Sequence, residues 1–398
     1  MNTQNPPVHI NLWHKEFWMV ALASLLVPMA VYMFLPVLPL WLPLQGDYGD
    51  RELSMVMGAT GVGVFLFGTF CSYLVQHFRR NSVCIESILL MTLTIGLLHY
   101  VQWAYRWIGG SHDECVLLML LAQRLLMGAA YGLAQMVLGS TLVIDTCESS
   151  KRTEANYSAA WFARFALALG PLAGMVVYRS FGFDGVIIAS MASAVLAALL
   201  ICSVHFPFRA PEEGVHLFSF DRFFLPQAMP LFLNLMVVMA VVGMLMPFGN
   251  YLLFFTSMMG GFFVALLSQR FVFRNAELKS ETISALLLLA AAVIILLTHP
   301  VGGIHIVVPF LIGISVGIIG SRFLLFFIKL SRHCQRGTAQ SSYFLATELG
   351  LSLGLLLHFL FRLHSETLLL LICLALVVLA FLSYHFYLHR WFIHHKNR

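Results

Sequence analysis

The chain has 398 residues, 60% apolar and only 10% charged, with a net charge of +5 and a mean hydropathy of +0.87. A soluble domain carries roughly 25% charged residues, so this composition excludes a water-soluble globule and makes lipid the solvent for most of the surface. The basic excess does not indicate nucleic acid, because it is spread over short loops between apolar segments.

A bilayer core takes about 20 apolar residues per helix. On that measure the sequence predicts spans over 17–42, 53–76, 84–106, 115–143, 155–178 and 183–206, then 226–246, 250–270, 281–299, 304–329, 339–361 and 366–389. The first run is too long for the h-region of a cleaved signal peptide, and many spans follow it. Pro28, Pro36, Pro39 and Pro43 crowd its second half, where they should kink or end the helix. Gly58, Gly61, Gly63 and Gly68 on the second span allow close helix packing. The stretch over 207–225 holds acids, bases and prolines and divides the chain near its middle. The expected organisation is a six-helix bundle over 1–206, a cytoplasmic linker over 207–225, and a second bundle with a short basic tail over 226–398. That tail carries four histidines with Trp391 and Phe392, read as an interfacial anchor and not as a metal site.

Lysine and arginine in the loops set the orientation. With the N-terminus inside, the inner segments hold 16 of them and the outer ones 4, and the bias alternates through every loop. Both termini are therefore expected in the cytoplasm. The seven cysteines (Cys71, Cys84, Cys115, Cys147, Cys202, Cys334 and Cys373) have no CxxC spacing and are read as reduced.

The halves resemble each other. Leu74-x-Gln76-x-Phe78 before Arg80-Asn81 returns as Leu267-x-Gln269-x-Phe271 before Arg274-Asn275. Arg152 matches Arg336, Gly170 matches Gly354, and Arg164 stands opposite Glu348, all at an offset of 184 residues. The predicted fold class is an all-α membrane protein with twelve transmembrane helices in two parallel six-helix repeats around a central cavity.

Over essentially its whole length the chain resembles the major facilitator superfamily. The loop after the second span is similar to that family's glycine, acid and arginine signature through Leu74 and Arg80. Gln76 replaces its acid, and Ser72 and Arg79 replace glycines. Arg124-Leu125-Leu126-Met127-Gly128 resembles the RxxxG motif of the fourth span. Gly170-Pro171-Leu172-Ala173-Gly174 is similar to the GPxxGG stretch of the family's exporters, with Ala166 and Met175 replacing flanking glycines. The resemblance implies alternating access, a fourth span lining the central cavity, and a fifth and an eleventh span on opposite sides of it.

An ionisable group inside a span costs at least about 2.5 kcal/mol on insertion scales and usually faces water or a partner. Arg124, Tyr131 and Gln135 share one helical face and form a polar stripe. Arg164 and Glu348 lie at matching depths, either paired directly or, as the family layout implies, on opposite cavity walls. Glu348 is the candidate coupling group. Arg322 reads as snorkelling to an interface, and Asn234 as a substrate hydrogen-bond donor or a helix-joining amide. Arg80, Gly128, Gly170, Pro171 and Gly174 are the gating and motif positions.

The expected function is secondary active transport of a small, partly apolar solute, proton-coupled and directed outward. Uptake by symport on the same fold is the alternative. No Walker motif, HExxH or GxSxG is present, so neither ATP nor enzymatic chemistry is expected. No cofactor or metal is expected. The expected partners are a small-molecule substrate, protons and the lipid bilayer, with the chain a monomer in a plasma or inner membrane.

Overall fold

The computed structural model describes residues 11–46, 48–108, 113–207, 214, 216–249, 251–272, 277–298, 304–362 and 365–396. Among these residues there is no strand. Eleven helical runs are long and apolar enough to cross a membrane.

One run, Arg152–Cys202, has 51 residues. At 1.5 Å per residue it would reach about 77 Å, more than twice a hydrocarbon core of about 30 Å. It holds two spans, because Gly182 breaks it with φ 67° and ψ −164°. Twelve crossing segments result. A Cβ at Gly182 would meet no atom within 4 Å, so the cost of Gly182→Ala is backbone strain alone, about 1–3 kcal/mol in this glycine region of φ/ψ space. Thermal melting should fall accordingly. An unchanged melting temperature would mean that the turn can be made by another backbone conformation.

Span 1 shows how the prolines act. Its helix runs Lys15–Tyr32, bends at Met33, and resumes as Phe34–Trp41 before a 3₁₀ turn over Leu42–Leu44. Pro36 has no N–H for the Tyr32 carbonyl four residues back, and its ring crowds that carbonyl. The bend therefore falls beside Tyr32, while Pro28 is carried within the helix. Span 2 is interrupted as well: Asp50–Leu66 and Cys71–His77 are joined by a 3₁₀ turn over Gly68–Phe70. Spans 3 and 4 are Arg80–Ile108 and Asp113–Val137, the latter continued by a π-turn over Leu138–Leu142. Spans 7 to 11 are Met229–Leu245, Tyr251–Phe271, Leu278–Thr298, Ile304–Leu330 and Arg336–Arg362. Span 12, Glu366–Leu382, runs through a π-turn into His389–His395. The histidine tail thus continues the helix as far as His395, with Phe392 buried against Phe326 at 4.6 Å between ring centroids. All seven cysteines are free thiols.

The packing repeats after six helices. Span 1 lies on spans 5 and 6, span 2 on span 4, span 3 on spans 4 and 6. Span 7 lies on spans 11 and 12, span 8 on span 10, span 9 on spans 10 and 12. The close crossings repeat too. Gly63 meets Gly128 between spans 2 and 4, and Gly261 meets Gly313 between spans 8 and 10, with backbone atoms where any Cβ would sit. Gln123 of span 4 donates to the Thr94 carbonyl of span 3 at 2.9 Å, and Ser315 of span 10 donates to the Ala285 carbonyl of span 9 at 2.8 Å. Without a hydrophobic drive inside lipid, small residues and interhelical hydrogen bonds hold such bundles together. The halves meet through spans 2 and 11 and spans 5 and 8.

Arg322 does not snorkel. Its Nε donates to Glu281 at 2.6 Å, and Glu281 is 1% exposed. An acid on the neighbouring span 9 satisfies the guanidinium inside the bundle, so no route to an interface is needed.

Candidate functional site

At midspan the two halves line a narrow cleft with a cavity volume of about 70 Å³. Its apolar wall includes Pro28, Leu167, Leu235, Met239, Val316 and Phe344. At one end stands Glu348 of span 11, 4% exposed. Tyr131 of span 4 donates its hydroxyl to Glu348 Oε1 at 3.0 Å, and Tyr32, beside the bend in span 1, donates to the same oxygen. Among the described residues no cation lies within ion-pair distance of this carboxyl. It is a carboxyl of one half clasped by two phenols of the other. Beyond the clasp, towards the face opposite the termini, Gly61 lies against Ser352 and Gly58 against Leu356, which closes spans 2 and 11 together.

From the clasp the cleft runs towards the face that carries the termini. Arg164 lies on its wall, 6% exposed. Its Nη1 donates to Ser321 Oγ at 2.7 Å and its Nε to the Tyr343 hydroxyl at 3.2 Å. The guanidinium carbon sits 4.8 Å from the Trp161 ring centroid, a cation–π contact that fixes the plane. Its Nη2 is buried with no partner. Three more lining side chains keep a buried polar atom unpartnered: Gln135 Nε2, Asn156 Oδ1 and Gln340 Oε1. Buried polar atoms are normally satisfied, so these four stand out along the cleft.

Arg164 and Glu348 share the cleft without bonding to each other: each is held by residues of the opposite half. Tyr131 and Gln135 of span 4 line it. Arg124 has the right face and the wrong depth. Two turns from Tyr131, it lies beyond the clasp, 1% exposed, with the Met127 sulfur at 3.7 Å as its hydrogen-bond partner and its Nε unsatisfied. Asn234 lies outside the cleft. It donates to the Ala380 carbonyl at 3.0 Å and to Ser383 at 2.7 Å, joining spans 7 and 12. Helix rotation instead turns its neighbours Leu235 and Met239 into the cleft.

The motif positions serve packing and the far end of the molecule. Gly128 abuts the Thr60 carbonyl, Gly170 abuts Met29 and Tyr32, and Gly174 abuts Met33, while Pro171 is buried within span 5. Arg80 pairs with Asp145 at 2.8 Å. Asp221 accepts from Thr338 of span 11 at 2.9 Å and from Ser72 of span 2 at 3.4 Å.

Tyr32, Asn156, Gln340 and Tyr343 were not singled out by sequence. For two of them a signal exists: Asn156 and Gln340 stand 184 residues apart, the offset that relates Arg164 to Glu348.

Two six-helix halves around a midspan cleft define a membrane carrier. Residues 20–355 match the model of the Major Facilitator Superfamily. The chain belongs to that family, and membership points to an integral, multi-pass membrane transporter. The fold is similar to that of the human organic anion transporter MFSD10 (TETRAN), with a TM-score of 0.67 and 16% identity over 96% of this chain and 100% of that one. It is also similar to a bacterial homologue of the iron transporter ferroportin in an outward-facing state, with a TM-score of 0.65 and 16% identity over 93% and 98%. A POT family peptide transporter gives 0.67 and 11% over 97% and 98%. No curated protein sequence matches the chain.

Proposed function

We propose that the chain is a secondary active transporter that exports a small, partly apolar solute in exchange for protons. The reading takes 1–206 and 226–398 as the two moving bodies and 207–225 as their linker. Both termini face the cytoplasm, and the chain works as a monomer in a plasma or inner membrane. The observation that carries it is the Glu348 clasp. A charged carboxylate accepts roughly twice as strong a hydrogen bond as a neutral acceptor does, so gaining or losing one proton changes how tightly Tyr32 and Tyr131 hold the opposite half. A proton at this point is thereby coupled to the separation of the halves, which is what alternating access requires. Substrate selection falls to the cleft. Its apolar wall suits a partly apolar body, and Arg164 offers a fixed donor to an electron-rich or anionic group.

The test is reconstitution in liposomes with an imposed pH gradient and a panel of small organic solutes. Gradient-dependent movement against the proton flow is expected. Movement with the proton flow would make the chain a symporter, and flux indifferent to the gradient would overturn proton coupling. Sided labelling of Cys334, an exposed thiol at the start of span 11, fixes vesicle orientation in the same experiment. Labelling of Cys334 itself in intact cells by an impermeant maleimide, located by mass spectrometry because exposed Cys115 lies on the outer side, would overturn the assigned topology.

A further inference from the structure

A second cavity, separate from the central cleft, opens on the face that carries the termini and has a volume of about 280 Å³. Arg80, Arg152, Arg222, Arg336, Asp145 and Ser140 line it. Among the described lining residues, four guanidinium groups face one carboxylate. That carboxylate is engaged by Arg80. Arg222 Nε stands 3.6 Å from Asp221 Oδ2, whose carboxylate also accepts from Thr338 and Ser72. Arg152 and Arg336 make no ion pair with any described residue, and the Nε atoms of Arg152 and Arg222 are buried without a hydrogen-bond partner. Burial, and after it the neighbouring Arg80 charge, hold the Arg222 guanidinium below the usual arginine range.

Two independent features point to a ligand. Arg152 and Arg336 are the first residues of the long helices of spans 5 and 11, so two helix N-termini bring their positive ends to one cavity. Ser140 is only 6% exposed, lines the cavity, and has an Oγ with no partner. Ser321, which follows Gly320 in span 10 as Ser140 follows Gly139 after span 4, is instead held by Arg164. Among the described residues, this unsatisfied hydroxyl and the guanidinium groups of Arg152 and Arg336 lack an anionic acceptor.

We propose that this cavity binds a phosphate group of net negative charge, presented either by an anionic lipid headgroup or by a soluble phosphate compound. Arginine forks and helix N-termini suit tetrahedral oxyanions. The donors come from three parts of the chain: Arg80, Ser140 and Arg152 from the first half, Arg336 from the second, and Arg222 from the linker. A phosphate held by all three ties the halves together on this face. By mass action it stabilises the arrangement in which they meet there.

Cys334 lines the same cavity and is exposed, so it reports occupancy. In neutral detergent, the full chain is titrated with inorganic phosphate against chloride at constant ionic strength. Cys334 alkylation is followed by mass spectrometry, with exposed Cys202 as the internal reference. A parallel series uses nanodiscs of phosphatidylcholine with increasing phosphatidylglycerol. Saturable slowing of Cys334 alkylation, about fivefold or more with Cys202 unchanged, is expected with at least one probe, together with a saturable rise in melting temperature. Protection by inorganic phosphate in pure phosphatidylcholine identifies the soluble source. Protection only with phosphatidylglycerol identifies the headgroup. Arg152→Gln with Arg336→Gln should weaken the response at least tenfold, and Arg336→Gln alone serves if the double variant melts too early to assay. Unprotected Cys334 with both probes, or equal protection in the variants, overturns the site.

Discussion

Glu348→Gln is expected to abolish accumulation driven by a pH gradient while leaving substrate binding and solute exchange in place. Glutamine keeps the size of the side chain and can still accept from the Tyr131 and Tyr32 hydroxyls that meet Glu348. It cannot take up or release a proton, so the clasp is fixed at neutral strength. Net transport coupled to protons needs both charge states, whereas exchange of solute for solute needs no net proton movement. Loss of gradient-driven flux by two orders of magnitude or more is the expected size, since the variant cannot complete the coupled cycle. Glu348→Asp should retain part of the activity with a displaced pH profile, because the shorter acid reaches the phenols poorly. Flux against pH for wild type and both variants decides the matter. Full coupling with an unaltered pH profile in Glu348→Gln would rule out the carboxyl as the proton carrier and leave it a structural link between halves.

The second large effect is expected at Arg164. Hydrogen bonds to charged groups contribute about 1.5–3 kcal/mol, so removing the guanidinium should weaken binding of a solute that meets it by roughly 10- to 150-fold. Arg164→Ala should lose transport on that scale and still insert, since its partners Ser321 and Tyr343 remain next to a cleft that water can enter. Arg164→Lys should rescue only partly. Lysine keeps the charge, but it lacks the planar fork that reaches Ser321 and Tyr343 together and lies over Trp161. Binding of a transported solute, measured beside melting temperature, separates the outcomes. A lower melting temperature with unchanged solute affinity would assign Arg164 to holding spans 5 and 10 together.

By itself the sequence determined the class of fold. Span number follows from local apolar length, because lipid penalises every exposed polar group within the span. The even count was legible because the Lys and Arg bias alternates through every loop, and the 184-residue offset between Arg152 and Arg336 because each half must solve the same packing problem. The offset even placed Arg164 and Glu348 at one depth. Tertiary structure alone decided the partners. Whether Glu348 meets Arg164 or two tyrosines depends on helix rotation and on which span stands opposite, and its partners lie 217 and 316 residues away in sequence. The same holds for Arg322, which found Glu281, and for Asn234, which was turned towards span 12. Depth misled at Arg124, because helical periodicity reports the face of a residue and not where along that face the cleft ends. The linker's Asp221 could not be read at all, since an acid that bridges Ser72 and Thr338 across 149 and 117 residues leaves no periodic trace. Periodicity is a property of one helix, whereas a site between two bundles is fixed only when the bundles are packed.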